Sequence, residues 1–109
     1  MNNQILNNLE FLPFFFHALS DPIRLNILES IGNQEICVGD LCKVLDLKQP
    51  KLSFHLKILR DSGFVNTRQD GRWIYYRLNK SRFEVLKQYI AKYQHNSLEQ
   101  NFYQENIIA

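Results

Sequence analysis

The chain is short of the residues that would let a small protein hold itself together covalently. It has two cysteines in 109 residues, with four glycines, three prolines, one tryptophan and one methionine. Two cysteines cannot build a multi-disulfide scaffold, so stability must come from an apolar core, which a chain of this length can form as a single domain. No apolar run approaches the roughly 18–20 residues that span a bilayer. The opening MNNQILNNLEFLPFFF has neither the basic n-region nor the small-residue cleavage site of a secretory segment. A reducing cytoplasm with free thiols is therefore the expected location. Internal repeats and low-complexity tracts are missing too. So are a glycine-rich phosphate loop, a carboxylate pair and the Cys-x-x-Cys spacing of a thiol oxidoreductase. An enzyme is not expected.

What is present is apolar surface and an uneven distribution of charge. Apolar residues make up 45% of the chain, so it is not a disordered tail. The formal net charge is only +2. Between Asp40 and Arg82, however, ten Lys and Arg face four Asp and Glu, while the remainder holds three against seven. A basic middle flanked by acidic ends suggests a polyanionic partner.

The pattern along the chain is mostly helical. NNQILNNLEFLPFFFHALS reads as a helix, kinked or restarted at Pro13. Its Leu9, Leu12, Phe15, Phe16 and Leu19 carry more apolar surface than one domain face needs, which points to packing on another subunit. SDPIRLNILESIG offers Asp21 as N-cap, Pro22 at the first helical position, Ile23, Ile27, Leu28 and Ile31 at helical spacing, and Gly32 as a stop. GDLCKVLDL reads as a short helix with Leu41, Val44 and Leu45 inward. QPKLSFHLKILRDSG reads as another, with Pro50 in its first turn, Leu52, Leu56 and Leu59 on one face, and Gly63 ending it. The period then changes. FVNTRQ and RWIYYRL are strand-like and joined by Asp70-Gly71, a dipeptide suited to a type I′ hairpin. SRFEVLKQYIAKY returns to helical spacing with Phe83, Leu86, Tyr89 or Ile90, and Tyr93. The order helix, helix, helix, tight turn, helix, hairpin, helix is mainly α with a β-hairpin wing. It describes a winged helix-turn-helix over residues 1–95, with residues 96–109 as a tail or helix extension.

The two helices between Gly39 and Gly63 carry the functional argument. LDLKQP has the length of a helix-turn-helix connection. The second helix turns its leucines inward, and Gln49, Lys51, Ser53, His55 and Lys57 are expected outward, where they can reach phosphates or base edges in a major groove. The hairpin tip adds Arg68 and Arg72, suited to phosphate contacts that position the protein and make binding salt-dependent. Trp73, Tyr75 and Tyr76 suggest base stacking by type. At period-2 spacing, though, structural roles in the wing account for them better.

HALSDPIRLNILESI, EICVGDLC, LKQPKLSFHLKILRDSGFV and DGRWIYYRLN together resemble the ArsR/SmtB family of bacterial winged-helix repressors, over roughly residues 12–80. The resemblance implies a homodimer joined through its terminal helices, here residues 1–19 and 81–95. It implies binding to a palindromic operator in double-stranded DNA and release by an inducer, with no membrane partner. A twofold dimer would place two recognition helices about one DNA turn apart.

The resemblance also raises the question of Cys37 and Cys42. The arsenic-responsive branch carries ELCVCDLC where this chain has EICVGDLC. Cys37 matches its first cysteine, Cys42 its third, and Gly39 replaces the middle one. Thiolates suit soft ions, so arsenite, antimonite or another soft metal ion is the implied inducer, with no cofactor required. Cys37 is expected at or just before a helix start, whose amides attract anionic donors. An i, i+5 pair on a regular helix is turned by about 140° and separated by roughly 8 Å between Cα atoms. That is beyond disulfide reach, and joint ligation would require the first turn to open. A family repressor without metal input, one that senses oxidants, and a winged-helix interaction module that binds no duplex remain open. The family's zinc site on paired terminal helices finds only His95 in a matching place among Glu84, His95 and Glu99.

Overall fold

The computed structural model describes residues 9–94. A 3₁₀ turn, Leu9–Phe11, leads into α1, Leu12–Ala18, with Pro13 in its first turn. Pro13 therefore lies at a helix start, as its residue type favours. Residues 1–8 of the expected first helix, the tail from 96 onward, and His95 and Glu99 lie outside the described residues. The second helix, α2, spans Pro22–Ile31, and its Asp21 carboxylate accepts from the backbone N–H of Ile23 at 2.8 Å and of Arg24 at 3.2 Å. That cap satisfies donors every helix start leaves free, and Pro22 has none to satisfy.

A two-residue strand, β1 (Ile36–Cys37), then precedes α3, Val38–Leu45. No period-2 pattern announces so short a strand. It exists because β3 offers a free edge: Ile36 pairs with Tyr76 and Cys37 with Tyr75. Helix α3 ends on Asp46 in the left-handed region at φ 53°. The tight turn delivers α4, Gln49–Asp61. Strands β2, Val65–Asp70, and β3, Trp73–Leu78, follow, and then α5, Lys80–Gln94. The sheet order is β1-β3-β2, antiparallel throughout.

The hairpin register differs from the expected one by one residue. Asp70 pairs with Trp73, so the central turn residues are Gly71 and Arg72 rather than Asp70 and Gly71. Gly71 has φ 62°, and Asp46 is the one described non-glycine residue with positive φ. Positive φ at the first central position alone is the requirement of a II′ turn, and it sets Arg72 at the tip.

One core joins these elements. Leu12, Phe15 and Ala18 of α1 meet Ile27, Leu28 and Ile31 of α2, Leu41 of α3, and Leu52, Leu56 and Leu59 of α4. Phe64, Val65, Tyr76, Val85 and Leu86 close the other side. Val44, expected inward, is 63% exposed because α3 buries only the line through Leu41. Gly63, at φ 83°, lies against the Arg82 guanidinium, and a Cβ there would come within 2.6 Å of Arg82 Nε. Arg82 in turn lies over the Phe15 ring at 4.1 Å, which ties α5 to α1 behind the hairpin.

Candidate nucleic-acid interface

Helix α4 is held from beneath by an apolar stripe at i, i+3, i+4 and i+7: Leu52, His55, Leu56 and Leu59. The stripe includes His55. Its side chain was expected outward, but the residue is only 7% exposed. Its Nδ1 lies 3.0 Å from the Arg24 guanidinium, which is also buried. Arginine can only donate, so Nδ1 accepts, and the imidazole is neutral with its proton on Nε2. Arg24 also donates from Nε to the Ala18 carbonyl at 2.7 Å and from a terminal nitrogen to the His17 carbonyl at 3.4 Å. One side chain therefore fastens the C-terminus of α1, the start of α2 and the middle of α4.

Burial pushes the His55 imidazole below its usual value of 6.5; Asp21 opposes this, while Arg24 and Lys51 reinforce it. The folded state therefore binds a proton less readily than the unfolded chain, and stability is full above the unfolded value and falls as pH drops through it. Urea unfolding midpoints should decline between pH 7.5 and 5.5. In His55→Gln, whose amide oxygen can still accept from Arg24, the decline should flatten. An equal decline in both proteins would assign the effect elsewhere.

On the opposite side of α4, Gln49, Lys51, Ser53 and Lys57 are exposed, as expected. Phe54, an apolar residue in this polar stretch, is exposed among them. Lys57 Nζ meets Asp61 Oδ2 at 2.7 Å, a pair with side chains 67% and 49% exposed. Such i, i+4 surface pairs are worth about 0.3–0.5 kcal/mol, so a phosphate can displace the aspartate.

On the wing, Arg72 is exposed at the tip, 5.6 Å over the Trp73 ring, and no described carboxylate pairs with it. Arg68, expected to be equally free, is engaged. It crosses the central strand over the Tyr75 ring at 4.7 Å and reaches Glu35, just before β1. Nε and a terminal nitrogen donate to the Glu35 carboxylate at 2.9–3.2 Å. Those hydrogen bonds pull the Glu35 carboxyl below its usual range and raise Arg68. With side chains 51% and 31% exposed, the pair is screened by water and is a small barrier to exchange for a phosphate. Tyr76 is buried, Tyr75 half-buried and Trp73 exposed.

Cys37 is the N-cap of α3 with an extended backbone, and Cys42 lies on the same helix; both are free thiols and partly buried. Among the described residues no group of three or more His, Cys, Asp or Glu side chains could hold a metal ion. An open groove of about 510 Å³ lined by Glu35, Asn66, Arg77 and Lys80 includes neither cysteine.

The fold and this surface define a winged helix-turn-helix unit: a docked helix with a polar outward stripe beside a basic hairpin. Residues 21–67 match the family described as bacterial regulatory protein, arsR family. The chain is 48% identical over 67 residues to the arsenical resistance operon repressor of Escherichia coli (strain K12), covering 59% of this chain and 56% of that protein. It is 42% identical over 72 residues to the arsenical resistance operon repressor of Bacillus subtilis (strain 168), covering 65% of this chain and 69% of that one. A crystal structure of an ArsR family transcriptional regulator superposes with a TM-score of 0.70 at 30% identity, covering 78% of this chain and 88% of that one. The chain belongs to the arsR family. The match spans little more than half of the E. coli repressor. These relatives are regulators, not enzymes, in line with the non-enzymatic reading. No helix among the described residues is long and apolar enough to cross a membrane.

Proposed function

We infer that the chain is a DNA-binding transcriptional repressor. It binds a palindromic operator as a homodimer and is released by a thiol-binding inducer at Cys37 and Cys42, with arsenite or antimonite the class the donors suit. The observation that carries the reading is the exposed Gln49, Lys51, Ser53 and Lys57 stripe on a helix whose other face is fixed in the core. Beside it, Arg68 and Arg72 on the wing supply phosphate contacts. His55 faces inward and supports the helix rather than touching the duplex.

Dimerisation is supported by apolar surface on the terminal helices. Phe16 and Tyr89, their ring centroids 6.1 Å apart, join α1 to α5. Around them Phe11, Phe14, Ile90 and Tyr93 are 45–60% exposed. A second copy would bury that surface twice over in an isologous contact.

Inducer coupling is supported by where the thiols sit. Cys37 belongs at once to β1, which pairs with the wing, and to the start of α3, which packs on α4. Drawing Cys37 and Cys42 together distorts the first turn of α3, and both DNA-contacting elements lean on it. The ligand must bind the DNA-incompetent state better, and DNA then weakens ligand binding by the same factor.

The duplex upstream of the chain's own gene, titrated by fluorescence anisotropy at several salt concentrations, tests the reading. Each phosphate contact contributes about 0.9 to the salt slope, so Arg72→Ala in a dimer should lower it by about two while leaving sequence preference intact. Retention of no duplex, or sedimentation as a lone subunit at working concentration, would sink it.

A further inference from the structure

Phe54 is 61% exposed, and among the described residues its one close aromatic neighbour is its own chain neighbour His55, at 5.1 Å between ring centroids. It sits in the second turn of α4, on the side opposite Leu52, Leu56 and Leu59. Leaving a phenyl ring in water forgoes the stabilisation that burying it would give. The terminal helices put their exposed aromatics together, but Phe54 stands among unlike neighbours. Lys51 and Lys57 lie three residues to either side, Ser53 is adjacent, and all three are exposed. A protein partner with an apolar patch would have to desolvate both ammonium groups. A surface that is anionic at its edges and apolar at one point in its floor meets no such cost. The major groove of duplex DNA is that surface wherever a thymine presents its 5-methyl group between two phosphate backbones. The first turns of a recognition helix are the part that reaches the groove floor.

We propose that Phe54 is a sequence-reading residue whose ring packs on the 5-methyl group of a thymine in each operator half-site. The inference rests on the duplex-binding reading above and adds to it what the helix selects. Ser53, next to the ring in sequence, supplies a polar contact, and Lys51 and Lys57 hold the register on the backbone.

The test uses the full chain and a random duplex library from which bound sequences are selected. A thymine should be fixed at one position of each half-site. Replacing it by uracil removes only the methyl group, and wild-type affinity should fall about fourfold per half-site, the ratio expected for one buried methyl-sized group. Phe54→Ala should bind the thymine duplex as weakly as wild type binds the uracil duplex, and should not distinguish the two. Phe54→Leu should keep the thymine preference. Because Phe54 is exposed, the variants should keep the wild-type melting temperature. Salt-dependent retention of duplex with no thymine-to-uracil effect at any position overturns the role of Phe54 and leaves the repressor reading intact. Failure to select or retain any duplex overturns both.

Discussion

Arg24→Ala should lower the unfolding free energy by about 3 kcal/mol. Truncation removes the donors that serve the Ala18 carbonyl and His55 Nδ1, and both acceptors stay where water does not reach. Each orphaned buried group costs about 1–3 kcal/mol. The His17 carbonyl loses less, since it also accepts from the Ser20 hydroxyl at 2.7 Å and the Ser20 N–H at 3.0 Å. The buried guanidinium itself costs desolvation, and its loss returns part of that, which keeps the expected figure near the lower end of the sum. For a domain of this size the change corresponds to a melting temperature lower by about 15 °C. Arg24→Lys should recover part of it, because one ammonium cannot fork to both acceptors. In the Arg24→Ala background a second change, His55→Ala, should cost less than it does alone, and the difference measures their coupling. Additive effects would mean that the 3.0 Å contact contributes nothing. Duplex affinity should drop more in Arg24→Ala than stability alone explains, since the bond orients the helix that carries Gln49, Lys51 and Ser53.

The two buried polar partners explain what the sequence disclosed and what it hid. Leu52, Leu56 and Leu59 were legible as an inward face, and Gln49, Lys51, Ser53 and Lys57 as an outward one, because residue type and helical position agreed. At His55 they disagreed. The i, i+3, i+4, i+7 series places it inward with Leu52, while its chemistry suggested the groove. Arg24 shows the same conflict, since 24, 27, 28 and 31 form an identical series ending on Ile31. Position prevailed in both cases because each supplies the partner that makes the other's burial tolerable. Two polar residues in apolar series on separate helices were the available signal. Phe54 is the converse, an apolar residue in a polar stripe. Strand β1 had no signal of its own, because its two residues are held by the edge of β3. The pairing of Arg68 with Glu35 likewise depends on sheet order, which brings residues 33 apart in sequence together across Tyr75.

Cys37→Ser and Cys42→Ser should each abolish release by arsenite while changing duplex affinity in its absence by less than about twofold. The thiols are a donor pair on one short helix, and a soft ion held by two thiolates is bound far more tightly than by one. Cys37 caps α3 and Cys42 packs against the core, and neither belongs to α4 or the wing, so the hydroxyl variant should leave DNA binding alone. For wild type, a coupling of about 1–3 kcal/mol predicts a 5- to 150-fold loss of duplex affinity at saturating arsenite, read by anisotropy at fixed salt. Gly39 provides the complementary test. A Cβ at Gly39 meets nothing within 4 Å, so Gly39→Cys adds a third thiol to the first turn of α3 without a clash. It should lower the arsenite concentration needed for half release, because the added donor lies between the other two in sequence and reduces the distortion required to gather them. Treatment with hydrogen peroxide separates the redox alternative. If release follows peroxide rather than arsenite, and either serine variant blocks it, the thiols sense oxidation. If Cys37→Ser responds to arsenite as wild type does, the switch does not lie in α3, and the link from β1 through α3 to α4 carries no signal.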